Sequence, residues 1–212
     1  KARGFVISLV DPDVEINVDV VDRYVSVWVT VAKKSLKDRT WRVYEHYASL
    51  NPIIANAMVR LARVKPGETV CDLTCGGGTI VAEAAALQPA ARYLCIDISL
   101  RHVKGALQNV GWSPQVDILW FDSTKIYRIL RPTCDKYIFN PPYGFRMPEK
   151  IDKLYSLLGK SMKHMAKNCA IYVVITPRHK TFLKYVEGEV LLKRVVYQGG
   201  LYSHIIMGRI CR

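Results

Sequence analysis

Residues 5–9, 14–20 and 24–31 alternate apolar and polar positions with a period of two, as half-buried strands do. Asp11-Pro12-Asp13 and Asp22-Arg23 separate them with turn chemistry, so a small antiparallel meander is expected, followed by a basic linker over 33–42. From Asn51 onward the period changes. Helical patterns alternate with short apolar runs, which implies βαβ units and a mostly parallel sheet. Asn51-Pro52 predicts a helix start, with Ile53, Ile54, Ala57, Met58 and Leu61 on one face and Pro66-Gly67 closing the connection. Strands are expected at 69–73, 92–98, 117–121, 136–139 and 169–175, and helices at 79–87, 101–109 and 150–165. The stripe Ile151, Leu154, Leu158, Met162 and Met165 reads as core. The tail differs: 190–197 and 204–210, joined through Gly199-Gly200, read as an antiparallel hairpin. The pattern therefore gives an α/β chain with a β appendage and linker at 1–45 and a main domain at 46–212.

Composition sharpens this picture. A chain of 212 residues, half of them hydrophobic, can bury a large core and is not disordered. No apolar run is long enough to span a bilayer and no signal peptide is read, so a cytoplasmic protein is expected. Thirty-one Lys and Arg against 18 Asp and Glu leave a formal charge of +13, which points to a polyanionic partner. The charge is spread along the chain with no basic amphipathic anchor, so nucleic acid is favoured over a membrane. Cys71, Cys75, Cys95, Cys134, Cys169 and Cys211 form no Cys-x-x-Cys pair and no His/Cys cluster. They read as small core residues in a reducing compartment. Scarce glutamine and abundant Lys, Arg, Val, Ile and Tyr hint at a thermophilic source, which leaves intracellular disulfides open.

The most informative chemistry is Asn140-Pro141-Pro142-Tyr143, directly after the apolar run 137–139. An exocyclic amine on a nucleobase is a poor nucleophile because its lone pair is delocalised into the ring. The Asn140 side-chain oxygen and the Pro141 carbonyl can each accept one amine hydrogen, and Tyr143 offers a face for base stacking. The two prolines stiffen this ledge. The alternative, a strand ended by turn chemistry alone, carries similar weight for the four residues in isolation.

Asp72-Leu73-Thr74-Cys75-Gly76-Gly77-Gly78-Thr79 lies between an expected strand and helix, where Gly76 and Gly78 permit a tight turn and close ligand approach. Two details favour S-adenosylmethionine over a dinucleotide: Val81 stands where Gly-x-Gly-x-x-Gly needs its third glycine, and Asp72 precedes the loop, placed to receive an ammonium group. Asp97 ends the next strand, 25 positions after Asp72 (97 − 72), a spacing suited to ribose hydroxyls. Ile98 can pack on the adenine, and Asp122 with the Ser123 backbone can meet its amino group. Each acid alone reads equally well as a turn former. Three at successive strand tips, with Asn140 on the same edge, point to a cleft at the carboxyl ends of the strands. His46, His102, His164 and His204 show no spacing for metal or nucleophile chemistry.

On these residues the chain resembles the amino-group methyltransferases of nucleic acids, and within them the RNA guanine-N2 methyltransferases associated with a THUMP RNA-binding domain. The segment from Ser35-Leu36 through Arg39-Thr40-Trp41-Arg42-Val43-Tyr44 to Ala48, Leu50, Asn51 and Pro52 is similar to the linker before the catalytic domain of that family. Residues 72–80 are similar to its glycine loop, and Asn140-Pro141-Pro142-Tyr143-Gly144-Phe145-Arg146 to its catalytic signature. A parallel sheet finished by an antiparallel hairpin is likewise the arrangement of Rossmann-like class I S-adenosylmethionine-dependent methyltransferases. The resemblance implies methyl transfer to guanine N2 in tRNA, in particular at position 6 of the acceptor stem, with Thr74 among the cofactor contacts. Leu73 and Thr74 depart from the family's Pro and aromatic or Met. Phe145, Arg146 and Arg178 are expected to meet the RNA, with His179 and Lys180 on loops that likewise follow strand ends; ordinary solvated loop charges are an equal reading of Arg146, Arg178, His179 and Lys180. Only the tail of a THUMP domain is read at 1–45, leaving RNA capture to the basic domain, a preceding module or a partner subunit. An adenine-N6 methyltransferase, a non-catalytic RNA-binding subunit and, more remotely, a nicotinamide dehydrogenase are the rival readings.

Overall fold

A computed structural model describes residues 4, 6–32, 35–144 and 150–212. The chain divides into two compact units, Lys1–Asp38 and Arg39–Arg212, against the expected division at 45 and 46.

In the first unit, β1 (Ile16–Val21) pairs antiparallel with β2 (Tyr24–Val29), from Ile16 opposite Val29 to Val21 opposite Tyr24. Asp22 adopts a positive φ of 54° in the connection, which suits its short polar side chain. The expected third strand does not form: residues 6–9 are irregular, and Phe5 lies outside the described residues. A two-stranded ribbon builds no second layer of its own, and nearly all its side chains are exposed.

The second unit contains α1 (Pro52–Ala62), β3 (Thr69–Asp72), α2 (Thr79–Leu87), β4 (Arg92–Asp97), α3 (Leu100–Val110), β5 (Val116–Trp120) and a 3₁₀ turn at Ser123–Arg128. It continues through β6 (Cys134–Phe139), α4 (Ile151–Met165), β7 (Ala166–Thr176), α5 (His179–Tyr185), β8 (Glu189–Gln198) and β9 (Leu201–Cys211). The sheet order is β5-β4-β3-β6-β7-β9-β8, parallel from β5 to β7 and antiparallel for β9 and β8. The expected parallel sheet with its closing hairpin is thus present. Strand alternation divides the core. Ile138, Val173 and Ile175 pack toward α1 and α2, whereas Tyr137, Phe139, Tyr172 and Val174 pack toward α4 and α5.

Asn51 caps α1 as expected, its side-chain oxygen accepting from Ile53 N at 2.9 Å. The buried face differs: Pro52, Ala55, Met58, Val59 and Ala62 are buried, while Ile53 and Ala57 are exposed. The small alanines let the helix approach the sheet closely, which a count of bulky apolar residues does not register. Along α4 the expected stripe is buried at Ile151, Leu158, Met162 and Met165.

All six cysteines are disulfide-bonded, as Cys71–Cys134, Cys75–Cys95 and Cys169–Cys211, which corrects their reading as reduced core residues. Cys71, Cys75, Cys95 and Cys134 are buried as core residues would be, whereas Cys169 and Cys211 are exposed on neighbouring strands. Adjacent strands bring distant cysteines within bonding range: Cys169 and Cys211 stand directly opposite in the β7–β9 ladder.

The sheet places β4 and β6 on opposite sides of β3, so the chain reverses its direction of travel across the sheet there. Open α/β sheets bind ligands at such a reversal, outside the carboxyl ends of the strands, here those of β3 and β6.

Candidate active site

Asp72 ends β3 and is buried. Its Oδ1 accepts from Thr74 N at 3.0 Å. Burial, with the Asp97 charge adding to it, raises its pKa well above the usual carboxylate range despite the Thr74 amide. The turn beyond it needs glycine. Gly76 and Gly78 have φ of 54° and 77°, and Gly78 N bonds Cys75 O at 2.8 Å before α2 begins.

Asp97, at the end of β4, binds both flanking turns: Oδ2 accepts from Gly76 N and Oδ1 from Ser99 N, each at 2.8 Å. Each oxygen retains a second lone pair for a ligand hydroxyl. Ile98 next to it is exposed. Asp122 caps the 3₁₀ turn. Its Oδ1 accepts from Thr124 N and from the Thr124 hydroxyl, its Oδ2 lies 3.2 Å from Lys125 Nζ, and these partners hold its pKa low against the effect of burial. Ser123 ties the layers together, its hydroxyl donating to Leu73 O and its carbonyl accepting from Ser161 Oγ.

Asn140 follows β6 at the same edge. Thr74 joins the two motifs directly, its hydroxyl donating to the Asn140 carbonyl at 3.1 Å. Pro141 is buried and Pro142 exposed, with the Pro142 carbonyl accepting from Tyr155 OH of α4 at 3.0 Å. Tyr143 turns back on the motif: its phenol donates to Asn140 Oδ1 at 2.7 Å and also bonds the Ser203 side chain. Burial raises the Tyr143 pKa, so this phenol keeps its proton. Arg178 is the N-cap of α5, its amide donating to Thr176 Oγ1 at 3.0 Å. His179 and Lys180 lie in the first turn of that helix, not on the expected loop. Phe145 and Arg146 fall outside the described residues.

Sequence reasoning missed the segment that passes over the glycine turn. Tyr44 packs against Gly105 and Gly77; a Cβ at Gly105 would stand 2.1 Å from its ring. His46 Nε2 is 2.7 Å from where a Gly76 Cβ would be, and its ring stacks on His102 at 4.4 Å. His102 Nδ1 in turn lies 3.4 Å from Asp97 Oδ1. Burial and the neighbouring His102 lower the pKa of His46. Asn109 fixes this segment, accepting at Oδ1 from Val43 N and Tyr44 N and donating through Nδ2 to Tyr44 O and Gly77 O, all at 2.8 Å. No spacing signalled these histidines, because His46 and His102 meet only after α1, β3, α2 and β4 have folded between them.

Residues 39–205 match the family of RMKL-like methyltransferase domains. The chain is 32% identical, over 95% of its length, to a tRNA (guanine(6)-N2)-methyltransferase of Archaeoglobus fulgidus, and covers 59% of that protein. TrmN from Thermus thermophilus superposes with a TM-score of 0.81 at 25% identity, over 95% of this chain and 61% of that one. SMU.472, a putative methyltransferase complexed with SAH, superposes with a TM-score of 0.74 at 20% identity, over 92% and 61%, and shows the fold alone. The chain thus spans about three-fifths of the relatives it matches. The sheet order, the closing hairpin and these similarities make the fold that of the Rossmann-like S-adenosylmethionine-dependent methyltransferases. The chain belongs to the RMKL-like methyltransferase domain family.

Proposed function

We propose that the chain is the catalytic part of an S-adenosylmethionine-dependent RNA methyltransferase acting on guanine N2, in tRNA at position 6. The observation that carries this reading is the Thr74–Asn140 hydrogen bond, which fixes the glycine turn and the Asn-Pro-Pro-Tyr ledge at one edge of the sheet. The names of the relatives supply the choice of guanine N2 over adenine N6.

The residues present fit the cofactor. Asp72 is a buried carboxyl at the base of the glycine turn, over which the side chains of Tyr44 and His46 pass, and would hold the ammonium group. Asp97 would take the ribose hydroxyls, and Ile98 offers an exposed apolar face to the adenine. Asp122, already a cap, keeps a side chain 26% exposed for the adenine amine. Bound S-adenosylmethionine supplies a methyl group on a positively charged sulfur.

Asn140 Oδ1 accepts one bond from Tyr143, and an amide oxygen has a second lone pair for an amine hydrogen. Pro141 O would accept the other hydrogen. Holding both draws the nitrogen lone pair out of conjugation and aims it, so that positioning lowers the barrier without a strong base. Tyr143 would stack on the base, which leaves its helix first. RNA capture would involve a module outside this chain, a THUMP domain or a partner subunit, in a cytoplasmic enzyme.

Incubation with labelled donor and an unmodified tRNA transcript, followed by nucleoside mass spectrometry, should yield N2-methylguanosine. N6-methyladenosine in place of N2-methylguanosine would overturn the reading. Asn140→Ala should lower turnover by about a hundredfold or more while S-adenosylhomocysteine affinity stays within a few-fold.

A further inference from the structure

The β8–β9 hairpin runs past the edge that carries Asn140. Phe139 of β6 is level with Val174 of β7, and Thr176 is level with His204 of β9, which in turn faces Val195 of β8. Continuing that register sets Asn140 and Pro141 level with Ile175 and Thr176. The hairpin continues beyond His204 to Leu201, an overhang of about 10 Å at a strand rise of ~3.3 Å per residue. It is anchored to the site, because Ser203 bonds the Tyr143 phenol.

Alternation puts Tyr202, His204 and Ile206 on one face, with Tyr197, Val195 and Lys193 opposite them. The outer end of this face is aromatic and open. Tyr197 and Tyr202 are 64% and 71% exposed, and their rings lie 5.1 Å apart. Nearer the sheet, His204 meets His179 of α5 at 3.7 Å between ring centres. Burial lowers both imidazole pKa values, helped by Lys193 at each and by Lys180 at His179. The exposed Lys193 and Lys180 therefore supply the positive charge. The acids of this stretch, Glu187 and Glu189, are at the far end, 3.2 Å from Lys163 and 3.6 Å from Arg209.

Two exposed rings at the outer end of this face, with Lys193 two pairs of facing residues further in and Lys180 on the adjoining helix, suit a polyanion that presents flat faces. We propose that this overhang is an RNA-binding wall, where Tyr197 and Tyr202 stack on unpaired bases next to the target nucleotide and Lys193 and Lys180 meet the flanking phosphates. The proposal rests on the reading of the chain as an RNA methyltransferase and names where that RNA lies.

Fluorescence anisotropy with a labelled oligouridylate of about twelve nucleotides tests it. Y197A/Y202A should raise the Kd about tenfold or more, and Y197F/Y202F, which keeps both rings, should bind as the unaltered chain does. S-adenosylhomocysteine affinity, measured by calorimetry, should be unchanged in both, showing that the cofactor half is intact. Lys193→Ala should reduce the slope of log K against log salt by about 0.7. A Kd for Y197A/Y202A within twofold of the original overturns the proposal. So does full binding by Y197L/Y202L, which would show apolar area without stacking, and so does a homodimer that Y197A/Y202A dissociates. If the unaltered chain binds no oligouridylate, the wall is also refuted, while the nucleoside assay above decides the methyltransferase reading separately.

Discussion

Asp72 is a carboxyl whose burial disfavours the charge its proposed role requires. Burial raises its pKa well above the carboxylate range, with Asp97 adding to the effect. A carboxyl whose folded pKa exceeds its unfolded one stabilises the protein fully below the unfolded value, and that stability is lost as pH rises through the folded value. An ammonium group beside it favours the carboxylate and offsets the loss. The rise in Tm caused by S-adenosylhomocysteine should therefore grow as pH rises above the ordinary carboxylate range, and Asp72→Asn should flatten that growth. A pH-independent rise in the unaltered chain would contradict the ammonium role. Asp72, Asp97 and Asn140 were legible in the sequence as polar residues ending apolar runs. Their partners were not: the Thr74 hydroxyl bond to Asn140 O joins residues far apart in the chain, and the sequence offers Thr74 as a cofactor contact without that link.

At the level of elements, the segment before α1 is held on the glycine turn by one side chain. Asn109 of α3 is fully buried and uses both donors and its acceptor oxygen on backbone groups of Val43, Tyr44 and Gly77. Removing that amide would strand the buried Gly77 carbonyl and leave the part-buried Val43 and Tyr44 backbone groups without their partner. Asn109→Ala should cost about 3 kcal/mol in chemical denaturation, and a loss under about 1 kcal/mol would show that water replaces it. Nothing in local periodicity marks Asn109, since a polar residue on an amphipathic helix reads as solvent-facing. The same limit hid α5, whose seven residues are too few to show a helical period, and shifted the face assigned to α1.

Across the whole molecule, three disulfides tie the sheet, closing sequence separations of 63, 20 and 42 residues. Each limits the unfolded chain, with an effect of about 3–4 kcal/mol for such loops. Thiol titration in denaturant without reductant should find no free cysteine, and reduction should lower Tm; six reactive thiols would show that the pairs do not form in the isolated protein. Near neighbours in the chain were enough to read the βαβ succession, the terminal hairpin, the glycine turn and the Asn-Pro-Pro-Tyr tip, because strand and helix periods and turn chemistry are local properties. The cysteine pairs, the histidines above Gly76, the Ser203–Tyr143 link and the hairpin overhang depend on which strands become neighbours and in what register. That is settled by packing apolar faces from distant segments into a common core, which no short stretch of residues contains.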